Sequence, residues 1–179
     1  MTSDATGTDP TGGTTATGGT SATGAETTFV EKDHVTWDAL EVLVKRLAAE
    51  VGREHDVLLA ITRGGLVPAG MLAYLLGHRD ILVAAVAFYD DKGQPGDQPA
   101  FLQFPSDPLL RGKKVLVVDE VWDTGTTIEA VVERVRLAGG DPTTAVLHYK
   151  PHRSKVRSVP DHHVVSTDAW VVYPFKYGR

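Results

Sequence analysis

An α/β fold, a central and mostly parallel sheet flanked by helices, is predicted by three features of this 179-residue chain. Two runs of aliphatic residues, 57–61 and 115–118, are short, uninterrupted and bounded by turn residues, as strands covered on both faces are. Each run leads through a glycine-containing turn into a segment whose apolar residues recur at helical spacing, so strand and helix alternate. With 42% hydrophobic and 23% charged residues and no internal repeat, the chain has material for one core.

The elements follow in order. Residues 1–28 are Thr, Gly, Ala, Ser and Asp with almost nothing large and apolar, so ordering them buries too little to offset the entropy; they read as a disordered tail before a single domain at 29–179. Thr36 is placed to cap a helix on which Trp37, Leu40, Val42, Leu43, Leu47 and Val51 share a face, with Asp38 and Glu41 near its positive end. A strand at 57–61 runs into Thr62-Arg63-Gly64-Gly65 and a helix at 67–76, where Pro68 is tolerated in the first turn. A strand at 81–88 completes a β-α-β unit. Between residues 89 and 113, Gly93, Pro95, Gly96, Pro99, Pro105 and Pro108 discourage helix. That stretch reads as a long mobile loop with a short hairpin around 101–104, and loops of such length are often lids. After the 115–118 strand, the helix from Thr126 begins where hydroxyls cap it. Gly139-Gly140 ends the turn after it, and strands are predicted at 144–149, 163–166 and 170–173.

Composition narrows the function. The chain has no cysteine, which removes disulfides, thiolate catalysis and cysteine-based zinc sites, and leaves oxygen as the main ligand for any metal, favouring Mg2+. A net charge of −5 speaks against a broad nucleic-acid surface. No apolar stretch approaches the roughly 20 residues of a membrane span, and no basic-then-apolar leader opens the chain, so a cytoplasmic location is expected.

The chemistry concentrates in Asp119-Glu120-Val121-Trp122-Asp123-Thr124-Gly125-Thr126-Thr127. Two carboxylates fall at the carboxyl end of a buried strand, where open α/β sheets bind ligands. Behind them a hydroxyl-rich turn opens a helix, and backbone amides, threonine hydroxyls and the helix dipole there suit a phosphate. An acidic pair followed by Asp-Thr-Gly-x-Thr, together with Thr62-Arg63-Gly64-Gly65, resembles the type I phosphoribosyltransferases. Val35-Thr36-Trp37-Asp38-Ala39-Leu40, Arg63-Gly64-Gly65-Leu66-Val67-Pro68 and the region of Trp170, in the same order, are similar to the bacterial xanthine-guanine members. The resemblance runs from about residue 30 to the end.

It implies the family's fold, a mostly parallel sheet with a small hood built from terminal segments. It also implies Mg2+-dependent transfer of phosphoribose from phosphoribosyl pyrophosphate to a 6-oxopurine, in a homodimer or homotetramer. Asp119 and Glu120 would accept the ribose hydroxyls and help hold Mg2+, and Thr124, Gly125, Thr126 and Thr127 would wrap the 5-phosphate. Asp123 would take a proton from the purine imidazole, and Arg63 and Gly64 would receive pyrophosphate, with a cis peptide expected at Thr62-Arg63. Lys150, in Tyr149-Lys150-Pro151, would donate to the 6-oxo group, while Trp170 and Val171 would stack on the base and offer backbone carbonyls.

Two departures stand out. Lys176 occupies the place where relatives often carry an aspartate, and the arginine implied after Phe88-Tyr89-Asp90-Asp91 is replaced near Pro95, with Lys92 the nearest cation. Two rivals remain: a regulator that senses phosphoribosyl pyrophosphate and binds nucleic acid, and a transferase for another base. The acidic balance and Asp123 speak against the first, Lys150 and Trp170 against the second.

Overall fold

The computed structural model describes residues 32–90, 92, 94 and 96–176; the tail at 1–28 and Pro95 lie outside them. The elements run β1 (Lys32–His34), α1 (Trp37–Val51), β2 (Val57–Ile61), α2 (Leu66–Leu76), β3 (Ile81–Tyr89), β4 (Gln98–Gln103), a 3-10 turn (Asp107–Leu109), β5 (Lys114–Trp122), α3 (Thr126–Leu137), β6 (Asp141–Tyr149), β7 (His162–Ser166) and β8 (Trp170–Val172). Six strands form one sheet in the order β4-β3-β2-β5-β6-β7, parallel throughout except for the β3–β4 pair. β1 and β8, from the two ends of the described chain, pair in parallel as a separate two-stranded hood.

Alternation along the strands divides the core into two layers. On β5, Leu116 and Val118 join Leu58, Ala60, Leu147 and the buried faces of α1 and α2. Val115 and Val117 point the other way, onto Ile128, Val131 and Val135 of α3. Each aliphatic side chain buried this way contributes roughly 1.5–3 kcal/mol. Thr36 caps α1 as expected, its hydroxyl accepting from Ala39 N at 3.1 Å. The inward face of that helix is Leu40, Val44, Leu47 and Val51, not the set containing Trp37 and Val42. Those two are 51% and 58% exposed, because the true stripe follows i, i+4, i+7, i+11 and leaves both to its side.

The 89–113 segment differs from a bare loop. β4 lies in it and pairs antiparallel with β3, Phe101 opposite Val86, so the hairpin is long-range and not the local one predicted around 101–104. Pro99 and the edge position of β4 are compatible, since an edge strand leaves one row of amides unneeded.

Candidate active site

The carboxyl ends of β2 and β5 meet where these neighbouring parallel strands run side by side. The alternation that built the core places the acidic pair on opposite sides of β5. Glu120 lines a cleft of about 410 Å³ with Arg63, Gly64, Leu66, Val67, Phe175 and Lys176. Asp119 lines a smaller depression of about 80 Å³ with Asp123, Thr124, Gly125 and Thr127. Adjacent residues thus serve two recesses that share a rim.

Their protonation differs accordingly. Burial, reinforced by the charge of Glu120, pushes the Asp119 carboxyl well above its ordinary range. Burial acts on Glu120 in the same sense, yet the hydrogen bond with Asp119 and the Lys176 ammonium outweigh it and hold that carboxyl low. The Lys176 Nζ lies 2.5 Å from Glu120 Oε1. At the backbone, Glu120 N donates to Asp119 Oδ1 at 2.8 Å.

The Thr62–Arg63 peptide is cis, as the resemblance implies. Beyond it Gly64 has no room for a side chain: a Cβ there would lie 1.8 Å from Glu120 Oε2. The next glycine is closed by backbone instead, with Val118 O at 2.5 Å from a Cβ on Gly65. A turn this bare allows the Arg63–Gly64 backbone to approach a ligand and the end of β5 together.

Gly125 starts α3 at φ 80, a left-handed conformation, and a Cβ on it would strike the Trp122 indole at 2.4 Å. The expected hydroxyl cap is absent, because Thr124 and Thr126 bond each other through their hydroxyls at 2.9 Å and no side chain caps the helix. The first-turn amides, which have no intrahelical partner, are left for a ligand.

Asp123 sits beyond this turn with both carboxylate oxygens engaged. Arg153 Nε donates to Oδ1 at 2.5 Å, and Lys150 Nζ lies 3.6 Å from Oδ2. Lys150 is 4% exposed, with its ammonium 5.5 Å from the Trp170 ring centroid. Trp170 is itself 45% exposed, so a flat apolar face stands beside a fixed donor. The Val171 side chain is buried in the core, which leaves only its backbone for any ligand.

The structure therefore brings Asp123, Lys150 and Trp170 together, Arg63 with Gly64 and Glu120, and Asp119 with the Thr124–Thr127 turn. Three contributors escaped the sequence pattern. The Tyr173 hydroxyl donates to the Glu120 carbonyl at 2.6 Å and meets His148 Nδ1 at 2.7 Å, tying β6 and the chain end to the acidic pair. Arg153 is the third; its place beside Asp123 depends on the fold of the turn after β6, which spacing alone does not reveal.

Among the described residues no group of three or more His, Cys, Asp or Glu gathers as a metal cage. The two adjacent carboxylates are oxygen donors that fit a hard cation only if substrate oxygens and water complete its shell.

Residues 35–178 match the model of the phosphoribosyl transferase domain. A xanthine-guanine phosphoribosyltransferase from Gluconobacter oxydans (strain 621H) is 34% identical over 148 residues, covering 79% of this chain and 82% of that protein. Among solved structures, a purine phosphoribosyltransferase from Pyrococcus horikoshii Ot3 superposes with a TM-score of 0.72 at 33% identity, over 83% of this chain and 96% of its own. A hypothetical protein from Neisseria gonorrhoeae with bound ppGpp gives 0.70 at 32%, over 82% and 89%.

Proposed function

The chain belongs to the phosphoribosyl transferase domain family, and from that premise we propose that it salvages a 6-oxopurine. The acceptor is guanine, xanthine or hypoxanthine, and the products are the nucleoside monophosphate and pyrophosphate. The observation that carries the choice of base is the grouping of Asp123, Lys150 and Trp170 beside the Thr124–Thr127 turn. An ammonium has donors only, so Lys150 favours a 6-oxo over a 6-amino group. The exposed Trp170 ring supplies a stacking face.

In the reaction the bond from the anomeric carbon to pyrophosphate breaks and the purine ring nitrogen bonds to that carbon. Asp123 accepts the proton of the imidazole ring, making the attacking nitrogen more nucleophilic. The first-turn amides of α3 with Thr124, Thr126 and Thr127 hold the 5-phosphate, and Arg63 with Gly64 receives the leaving pyrophosphate. Asp119 and Glu120 accept the ribose hydroxyls and are the residues that would hold Mg2+, which when bound neutralises charge on the leaving group. Water exclusion protects the cationic ribose from hydrolysis.

The reading extends to a cytoplasmic enzyme working as a homodimer or homotetramer. Among the described residues no helix is long and apolar enough to cross a membrane. α2 carries no charged residue, yet leaves Tyr74 93% exposed and its neighbour Leu75 37% exposed, an apolar edge suited to a second copy. The test is pyrophosphate release by the purified protein with phosphoribosyl pyrophosphate, Mg2+ and a panel of guanine, xanthine, hypoxanthine, adenine, uracil and orotate. Turnover with at least one 6-oxopurine and none with the others is expected; silence with all three 6-oxopurines sinks the reading.

A further inference from the structure

We propose that Lys176 is an exchangeable cation of the pyrophosphate subsite, parked on Glu120 in the free protein and passed to the diphosphate oxygens when substrate enters. The inference rests on the phosphoribosyl reading of the cleft and adds a residue to it. Three side chains of the 410 Å³ cleft carry charge: Arg63, Lys176 and Glu120. Lys176 Nζ is 2.5 Å from Glu120 Oε1, and the same carboxylate packs against Gly64, where a Cβ would lie 1.8 Å from Oε2 and 2.1 Å from Oε1. The ammonium is therefore held across one carboxylate from the Arg63–Gly64 turn.

Ribose hydroxyls that donate to Glu120 draw on the same carboxylate charge that holds Lys176, so sugar and ammonium are in conflict over it. Arrival of the sugar resolves the conflict: the hydroxyls take the carboxylate, and the ammonium is released into a cleft where an anion has just arrived. The geometry allows this. The lysine is one-third exposed, whereas Glu120 is 9% exposed, so the cation is the partner free to move. Its ammonium lies 5.3 Å from the Tyr173 ring centroid, and that ring is pinned by its hydroxyl to the Glu120 carbonyl. The side chain thus has a fixed surface to swing along. No bond is made or broken; an ion pair is traded for charge-assisted hydrogen bonds to phosphate.

The test is calorimetric binding of inorganic pyrophosphate in EDTA, which contributes neither ribose nor metal. Glu120→Gln, which releases the lysine, is expected to bind pyrophosphate at least about tenfold more tightly than the parent protein. Adding Lys176→Gln to it should abolish the gain. An equal gain in the double variant overturns the proposal, since the effect would then be loss of the glutamate charge alone. A second measurement stands if Glu120→Gln does not fold: with Mg2+ present, Lys176→Gln should weaken phosphoribosyl pyrophosphate binding and Lys176→Arg should restore it. Equal binding by all three proteins overturns the proposal and leaves the transferase reading intact. A folded parent protein that binds no phosphoribosyl pyrophosphate even with Mg2+ overturns both.

Discussion

Arg153 Nε donates to Asp123 Oδ1 at 2.5 Å, so the residue assigned to proton acceptance meets a guanidinium before it meets a base. The Asp123 hydrogen bond and charge raise the Arg153 pKa above its already high ordinary value, so the guanidinium stays charged. Arg153 lies on the turn after β6 that also sends Lys155 N to the Thr124 carbonyl, and half its side chain is exposed. On the proposed reading a purine must displace it. Because an exposed ion pair is weak, that competition is modest. Arg153→Gln should lower KM for the purine a few-fold at most, with kcat changed less; a rise in KM would show instead that Arg153 holds the base.

Asp123→Asn keeps the shape of the side chain and removes its basicity. If Asp123 accepts the imidazole proton, kcat falls by about 10²–10⁴-fold, the usual contribution of a positioned general base. Binding of phosphoribosyl pyrophosphate should stay within a few-fold, since the phosphate turn and the Arg63 turn are untouched. Steady-state kinetics beside calorimetry separate the two, and retained turnover removes the assignment.

The strands were legible where burial was two-sided, as at residues 57–61 and 115–118, because short unbroken aliphatic runs bounded by turn residues suit a central strand. The Thr124–Thr127 turn and the Arg63–Gly64 turn were legible because their chemistry is local in sequence. What escaped depends on distance. Tyr173 is 53 residues from the Glu120 carbonyl it serves, and Arg153 is 30 from Asp123. β1 is three residues, Lys32–His34, with no apolar pattern; only pairing with β8 makes it a strand. The stretch holding β4 reads as loop because its glycines and prolines discourage helix; that Pro99 also fits a strand follows only from the edge position, which is visible once the sheet is known.

Gly64 and Gly65 should respond oppositely to alanine. At Gly64 the three atoms nearest the added Cβ all belong to the Glu120 carboxyl, a side-chain end and not backbone, so Gly64→Ala keeps the fold but turns that carboxylate away from the ribose hydroxyls and weakens phosphoribosyl pyrophosphate binding. At Gly65 the Cβ meets the Val118 and Ile61 carbonyls at 2.5 and 2.7 Å, backbone at the centre of the sheet. Overpacking there costs about 1–3 kcal/mol. Denaturant melts of both variants, beside binding, distinguish them: equal stability loss at the two positions contradicts this contrast.

The buried chain from His148 through Tyr173 to the Glu120 carbonyl carries a pH signature. The single phenol proton goes to the carbonyl, so His148 Nδ1 must be the donor in its contact with the tyrosine oxygen. Burial lowers the pKa of His148 from the ordinary 6.5, Lys150 adds to that and Asp33 opposes it; burial likewise lowers His55. The unfolded chain therefore takes up protons near 6.5 while the folded chain does not. Stability from these groups is fully present above that value and is lost as pH falls below it towards the folded-state pKa. Tm should drop between about pH 7.5 and 5.5, and His148→Gln should flatten part of the slope, leaving the His55 share. Tyr173→Phe strands the Glu120 carbonyl and costs about 1–3 kcal/mol at neutral pH. A Tm slope identical in His148→Gln and the parent protein would show that His148 is not held neutral by the fold.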